Sequence, residues 1–272
     1  MFLPENIDLA HSEKYILSIR IGSNSFMFTI SDPENPGNFC FRETSFTAGN
    51  KLTENIQRII FDLNFLTQQF LSTNVVFVSD NYESVPQKYY IGKQVEELYY
   101  FTHTRPEGEA QTILSSENVS QRTFTLYPVN KSLYEFLTRN LYNPVFHHHS
   151  DLLTQYWRKK KQLGDSEKRM YLYFHREQMD IYSFVGTQQI HSIGYKGNHM
   201  NNPVYFILKT WEAVGFNQVE DYLFIAGQYD SGIIPSLKEY LKHIESYTLP
   251  SEVHLWNEDA TKAPLDLLVL SL

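Results

Sequence analysis

Stretches of alternating or continuous apolar residues, separated by short polar links, open the chain. The segment 14–21 is apolar and rich in β-branched residues, apolar and polar residues alternate over 26–31, and aromatic residues recur over 39–46. The link 22–25 (Gly-Ser-Asn-Ser) has the composition of a hairpin turn. We therefore predict three strands in succession, of which the first two form a hairpin.

Helical periodicity follows these strands. From about 52 to 71, isoleucine and leucine residues recur every three or four positions, which predicts an amphipathic helix. The continuous apolar run 75–78 predicts a strand buried on both faces. A second helix is predicted at 93–100.

The second half of the chain repeats this order of patterns. Three strands, a helix, a buried strand and another helix are predicted at 169–175, 179–185, 188–194, 203–214, 223–226 and 231–244. The string β-β-β-α-β-α therefore occurs twice, which indicates a duplicated α/β fold.

Further elements lie between and after the two copies. The patterns predict two strands, a helix, a strand and a helix with a basic end, at 111–114, 122–128, 131–141, 145–149 and up to 162. We place the domain boundary within 143–150, which gives a first half of residues 1–145 and a second of 146–272. The apolar run 265–270 predicts a final buried strand.

Composition narrows the class of protein. Hydrophobic residues make up 42% and aromatic residues 15% of the 272 residues, which is too many for a disordered chain. The net charge of −8 argues against broad electrostatic binding to nucleic acid. No apolar run approaches the roughly 18 residues of a membrane span, and residues 1–13 lack a signal-peptide pattern. We expect a cytoplasmic protein without a membrane span.

The duplicated order resembles the actin-like ATPase superfamily, which includes actin, sugar kinases and Hsp70. In the second half, the segment 203–211 leads through a helix to 221–227, and a comparable helix in that superfamily precedes a strand ending in glycine at the adenosine loop. Over nearly its full length the chain also looks like an uncharacterised Bacteroidetes family, DUF3822. The resemblance implies two RNase H-like halves, each a mixed five-stranded sheet flanked by helices.

The superfamily's phosphate-binding loops are poorly matched. Active members carry aspartate, which holds Mg²⁺ through water, and glycines that let backbone N–H groups approach the phosphates. Here only Gly22 remains in the first hairpin, and Arg20 stands near the position of the expected carboxylate. The second hairpin, 174–180, has no glycine, and the adenosine loop carries the bulky Tyr229. By this resemblance, the candidate residues lining a cleft are Gly22, Ser23, Arg176, Asp180, Gly227 and Asp230. We predict no catalytic residue, metal site or cofactor.

Other candidate chemistry is sparse. On a strand, His147 and His149 would share one face and, with Asp151, could hold a metal ion, although a polar strand end is favoured. Cys40, the one cysteine, excludes an intrachain disulfide and is expected to be buried. The basic run 158–161 is expected to be a solvated helix end. Of the aromatic residues in 89–101, some are expected in the core and the remainder would suit a protein interface.

Three functional hypotheses follow. The leading one is a catalytically inactive actin-like scaffold or binding module for protein partners. The second is a divergent ATPase or kinase that uses Glu177, Asp180 or Asp230 as its carboxylates. The third, an RNase H-like nuclease, needs clustered acidic residues, and the first strand has no aspartate.

Overall fold

Two five-stranded sheets organise the chain. The computed structural model describes residues 6–160, 166–176 and 178–272. Within these residues the strands are β1 (Ile16–Ile21), β2 (Ser25–Ser31), β3 (Phe39–Ser45), β4 (Ser72–Phe77), β5 (Glu83–Pro86), β6 (Gln111–Asn118), β7 (Thr123–Asn130), β8 (Pro144–His148), β9 (Lys168–Phe174), β10 (Gln178–Val185), β11 (Gln188–Lys196), β12 (Tyr222–Gly227) and β13 (His243–Ser246). The helices are α1 (Leu52–Asp62), α2 (Val95–Tyr100), α3 (Lys131–Asn140), α4 (His149–Arg158), α5 (Pro203–Ala213), α6 (Ile233–Lys238), α7 (Ser251–Trp256), α8 (Glu258–Lys262) and α9 (Leu265–Leu268).

The two sheets have the same topology. Their strand orders are β3-β2-β1-β4-β8 and β11-β10-β9-β12-β13. In each, the first three strands of the order pair antiparallel, and the last three pair parallel. The predicted duplication, with a mixed five-stranded sheet in each copy, is confirmed.

Contacts divide the chain into two units. One unit consists of the residues up to Leu152 together with Leu249–Leu272, and the other is Leu153–Thr248. The sequence placed the boundary near 145 and assigned all of 146–272 to the second half. In the structure the chain passes from one unit to the other within α4, and its last segment belongs to the first unit.

The core of the first unit lies between its sheet and two helices. The helical spacing predicted from 52 onward puts Ile56, Ile59 and Ile60 on the buried face of α1, where they join β1, β2 and β4. The helix ends at Asp62 instead of continuing to 71, and a single 3₁₀ turn, Asn64–Thr67, follows it.

A small three-stranded sheet, ordered β5-β7-β6, lies in the chain between β4 and β8. It has its own apolar cluster, formed by Val85, Tyr99, Ile113 and Leu126. The predicted pair of strands is confirmed as β6 and β7. The short β5 was not predicted.

The C-terminal segment contains helices, so the strand predicted at 265–270 is wrong. Leu265, Leu267 and Leu268 are buried within and beside α9, which follows Pro264. A short apolar run buried on all sides has no periodicity that separates helix from strand.

The second unit has a separate core. Met170, Leu172 and Ile181 of its sheet pack with Ile207 and Trp211 of α5. The helix predicted at 231–244 is wrong in length, because α6 ends at Lys238 and β13 begins at His243. Within the described residues, no helix is both long and apolar enough to cross a membrane.

Candidate functional site

The hairpin between β1 and β2 carries the predicted residues Gly22 and Ser23. The N–H of Gly22 donates to the carbonyl of Ser25 at 3.1 Å, and the N–H of Val78 donates to the carbonyl of Ile21 at 3.0 Å. The ends of β1 and β4 therefore meet at this edge of the sheet. A Cβ atom at position 22 would lie 3.8 Å from the Ser25 oxygen, an ordinary contact, and the φ angle there is not positive. The backbone conformation thus does not require glycine at this position.

Two residues before the hairpin, Arg20 forms a buried ion pair. Its Nε donates to Oδ2 of Asp266 at 2.7 Å, and the two side chains are 7% and 0% exposed. Its Nη1 also lies 3.7 Å from the sulfur of Met27. Asp266 belongs to α9 in the C-terminal segment of the same unit. Where the resemblance implies a metal-binding carboxylate, the structure therefore has a guanidinium paired with a carboxylate from elsewhere in the chain.

The hairpin between β9 and β10 is closed by its own polar side chains. Nε2 of His175 lies 2.6 Å from Oδ2 of Asp180, and Nε2 of Gln178 donates to Oδ1 of the same carboxylate at 2.8 Å. All three side chains are buried. Both oxygens of Asp180, which the sequence analysis gave as a candidate lining a cleft, lie within hydrogen-bond distance of side chains of the hairpin itself. Arg176, in the turn, is exposed.

Gly227 is required by a close crossing of two backbones. It ends β12 with a φ of +86°, and a Cβ atom there would lie 2.1 Å from the carbonyl oxygen of Phe174. The N–H of Gln228 donates to that same oxygen at 2.9 Å. No side chain fits in this space, so the fold itself accounts for the glycine.

The loop after Gly227 is occupied by a turn and an aromatic ring. Oδ1 of Asp230 accepts the N–H of Gly232 at 2.7 Å, which shapes the turn leading into α6. The ring of Tyr229 lies 5.8 Å from that of Phe174, and its hydroxyl is 3.0 Å from Oγ of Ser246. Asp230 therefore has a local structural role in this turn.

The six predicted residues fall into two groups. Gly22 and Ser23 lie in the first unit. In the second unit, Gly227 stands opposite Phe174 in the register of β12 and β9, at the edge that also carries Arg176 and the Asp180 network. Asp230 lies three residues further along the chain.

The three consecutive histidines have different partners. The strand β8 ends at His148, and His149 begins α4, so the alternation that would place His147 and His149 on one face ends between them. Nε2 of His147 lies 3.1 Å from the side-chain oxygen of Asn74, and burial lowers the pKa of His147 to about 4. Nδ1 of His149 faces the carbonyl of Phe77 at 3.3 Å.

Asp151 was predicted only as a third metal ligand, but it joins α4 to the three-stranded sheet. The hydroxyls of Ser116 and Thr125 donate to its two carboxylate oxygens, the latter at 2.5 Å. Burial raises the pKa of Asp151 to about 6, although the two hydroxyls and His149 oppose this shift. The carboxyl group of Asp151 therefore releases its proton at a higher pH than an ordinary aspartate does. No spacing rule predicts these hydrogen bonds from the sequence, because Thr125 and Ser116 lie 26 and 35 residues from Asp151.

The cysteine and the basic run 158–161 are the two remaining features that were predicted from the sequence. Cys40 is buried as predicted, and burial raises the pKa of its thiol to about 11. At the basic end of α4, Nζ of Lys160 lies 4.0 Å from the ring centre of Tyr156. Lys161 and Glu177 lie outside the described residues.

Comparison with solved structures identifies the fold. A Bacteroides thetaiotaomicron protein described as having an actin-like ATPase fold and unknown function superposes with a TM-score of 0.83 at 23% identity, covering 97% of this chain and 98% of that one. A chain of the PilM–PilN type IV pilus biogenesis complex superposes with a TM-score of 0.55 at 10% identity, covering 94% and 97%. The fold is therefore that of the actin-like ATPases, as the resemblance implied.

Comparison of sequences gives the family. Among curated proteins, none matches the chain. The model of a family of proteins of unknown function, DUF3822, matches residues 4–244. The chain, with its two mixed five-stranded sheets, therefore belongs to the DUF3822 family.

Proposed function

We propose that this protein is a catalytically inactive actin-like module that binds partner proteins. The observation that carries the proposal is the buried pair of Arg20 and Asp266. Mg²⁺ in phosphate-transfer sites is held by carboxylate oxygens and water. A guanidinium has only donors and cannot coordinate a cation. With its Nε bonded to Asp266, Arg20 stabilises the fold where the superfamily resemblance calls for a metal ligand.

The second hairpin supports the same conclusion. The carboxylate of Asp180 is bonded to Gln178 and lies within hydrogen-bond distance of His175, so a metal would have to break this network. Gly227 is explained by its contact with Phe174 and needs no phosphate to account for it.

The test is the melting temperature with and without Mg-ATP, combined with an assay of phosphate release. A nucleotide at about 100 times its Kd would stabilise the folded state by about 2.7 kcal/mol. For a chain of this size that corresponds to roughly 5–10 °C in Tm. We expect no shift and no phosphate release. A shift that chelation of Mg²⁺ abolishes contradicts the proposal.

A divergent nucleotide-binding enzyme is the alternative. The observation that favours it is the buried contact between His175 and Asp180, because such a pair can hold or transfer a proton. If Mg-ATP raises the Tm or is hydrolysed, Asp180→Asn should abolish the effect, whereas Asp230→Asn, which alters only a turn, should preserve it.

Exposed aromatic and aliphatic side chains in the segment between β5 and β6 support protein binding. Phe101 is 89% exposed, and Tyr89 and Ile91 in the same segment are also exposed. Side chains of this kind are enriched at protein interfaces. A chain of the same fold is part of the PilM–PilN complex, in which two proteins assemble.

Affinity capture from the native cell tests this interface. The variant Tyr89→Ser/Phe101→Ser is expected to lose the captured partner while keeping its Tm. The control is Phe61→Ser, which removes a similarly exposed ring from α1. If the unchanged protein, the double variant and the Phe61→Ser control capture the partner equally, the surface that contains Tyr89 and Phe101 is excluded as the interface.

A further inference from the structure

The edge strand of the first sheet, β3, is covered by side chains of its own unit. The N–H of Phe41 donates to Asp259 at 3.2 Å, and the carbonyl of Phe41 accepts from Arg42 at 2.6 Å. The carbonyl of Phe39 accepts from Asn257 at 2.7 Å. Side chains of the C-terminal segment and of Arg42 therefore bond the backbone groups that a second chain would otherwise pair with.

The corresponding edge strand of the second sheet, β11, is covered only at its ends by described residues. Gln188 donates to the carbonyl of Gln189 at 3.2 Å, and the ring of His199 lies 3.1 Å from the carbonyl of Lys196. For the backbone of 190–195, the described residues supply no bond from outside the sheet. Since alternate residues of an edge strand direct their N–H and C=O groups outward, about three residues here have pairing groups available.

The charge near β11 differs from that of the rest of the chain. From 181 to 211 there is no aspartate or glutamate, although the whole protein has 31 acidic residues and a net charge of −8. The one carboxylate in register with β11, that of Asp180 opposite Gly194, is buried and bonded to His175 and Gln178. The strand itself ends in Lys196. A second copy would bring a strand that also ends in Lys196 and another net charge of −8, whereas an acidic segment would be attracted to this edge.

We propose that β11 is the docking site of an extended acidic segment of a partner protein. The segment adds to the sheet as a sixth strand next to β11, with its backbone bonded to residues 190–195 and an acidic side chain near Lys196. Strand addition of this kind derives affinity from main-chain hydrogen bonds and specificity from alternate side chains. The proposal specifies a partner for the binding role given above, but it does not depend on the absence of ATP binding. Its failure would therefore leave the result of the Mg-ATP test unchanged.

Amide hydrogen exchange of the full chain tests the proposal. The probe is a capped eight-residue peptide of alternating valine and threonine with a glutamate at each end. With the peptide at about ten times its Kd, β11 is free of peptide in only about one molecule in ten. Amides within 190–195 should therefore exchange about tenfold more slowly. A peptide of the same sequence with every backbone nitrogen N-methylated cannot donate to β11 from either edge and should give no protection. Protection absent from 190–195, or equal protection by both peptides, overturns the proposal.

A charge exchange tests the preference for an acidic partner. Lys196→Glu should favour the same peptide ending in lysine over the one ending in glutamate, whereas Lys159→Glu, an exposed control outside β11, should keep the original preference. Circular dichroism confirms that both variants are folded. Unchanged preference in Lys196→Glu contradicts the role of charge. If the protein alone forms a dimer in sedimentation velocity and the dimer protects 190–195, the occupant is a second copy and the proposal is wrong.

Discussion

Breaking the ion pair between Arg20 and Asp266 measures how strongly the C-terminal segment stabilises the first unit. Asp266→Asn removes the negative charge and leaves a guanidinium whose side chain is only 7% exposed. Removing one partner of such a buried pair costs about 3–5 kcal/mol, because the remaining charge stays desolvated after losing its carboxylate partner. For a chain of this size, a loss of that order lowers Tm by roughly 6–20 °C.

A double variant shows whether stability is lost because a charge is left unpaired or because the ion pair itself is gone. In Arg20→Met/Asp266→Leu both charges are replaced by apolar side chains, so no charge is left unpaired. Such replacements are often neutral or stabilising. We expect the double variant to unfold within about 1 kcal/mol of the unchanged protein, far from the sum of the losses in the single variants Arg20→Met and Asp266→Leu.

Urea unfolding followed by tryptophan fluorescence measures all of these variants. The control is Lys262→Met, which breaks the pair with Glu258 in the same segment; that pair has a similar distance, 2.7 Å, but its side chains are 55% and 82% exposed. This control should change the free energy of unfolding by less than about 1 kcal/mol. Asp266→Asn losing less than about 1 kcal/mol, or a double variant losing the sum of the single losses, would refute the reasoning.

Three further predictions address other features. The raised pKa of Asp151 means that the folded state keeps a proton that the unfolded state releases, so stability falls as pH rises from about 4 to about 6. In urea titrations, Asp151→Asn should remove this fall, which is on the order of 3 kcal/mol. Gly227→Ala should destabilise the protein by about 2 kcal/mol more than Gly215→Ala, which shares the positive φ but opens into free space; equal losses would contradict the backbone clash. Asp259→Ala uncovers β3 and should increase self-association in sedimentation velocity, whereas Lys262→Met should not.

Local patterns were sufficient for the repeated architecture. Apolar spacing located α1 through Ile56, Ile59 and Ile60, because a helix that packs on one face must repeat at that period. The hairpin of β1 and β2 followed from alternation and a polar turn. Identical element order in both halves then gave the duplication without any matching residues.

Short segments without a clear period were the source of two errors. Leu265, Leu267 and Leu268 are all buried, so their helix shows no polar face. In the second half, β13 was absorbed into a predicted helix, because its four residues are too few to establish a period of two.

The chemistry of the candidate site depends on long-range contacts. Arg20 was noticed as an unexpected residue, but its partner Asp266 is 246 residues away. Gly227 was predicted as a strand-end glycine lining a cleft, and its close approach to the carbonyl of Phe174 became visible only when the two strands were placed side by side. Spacing rules reach one or two helical turns, so they cannot predict such pairs.

The return of Leu249–Leu272 to the first unit sets the order in which the protein can be completed on the ribosome. After Leu152 the ribosome must add the whole second unit before the segment carrying Asp259 and Asp266 is made. At about 5–20 residues per second this interval lasts roughly 5–20 s. During it, Arg20 lacks the carboxylate that neutralises it, and the edge of β3 lacks its cover. The first unit, although most of its residues are synthesised first, is therefore completed last.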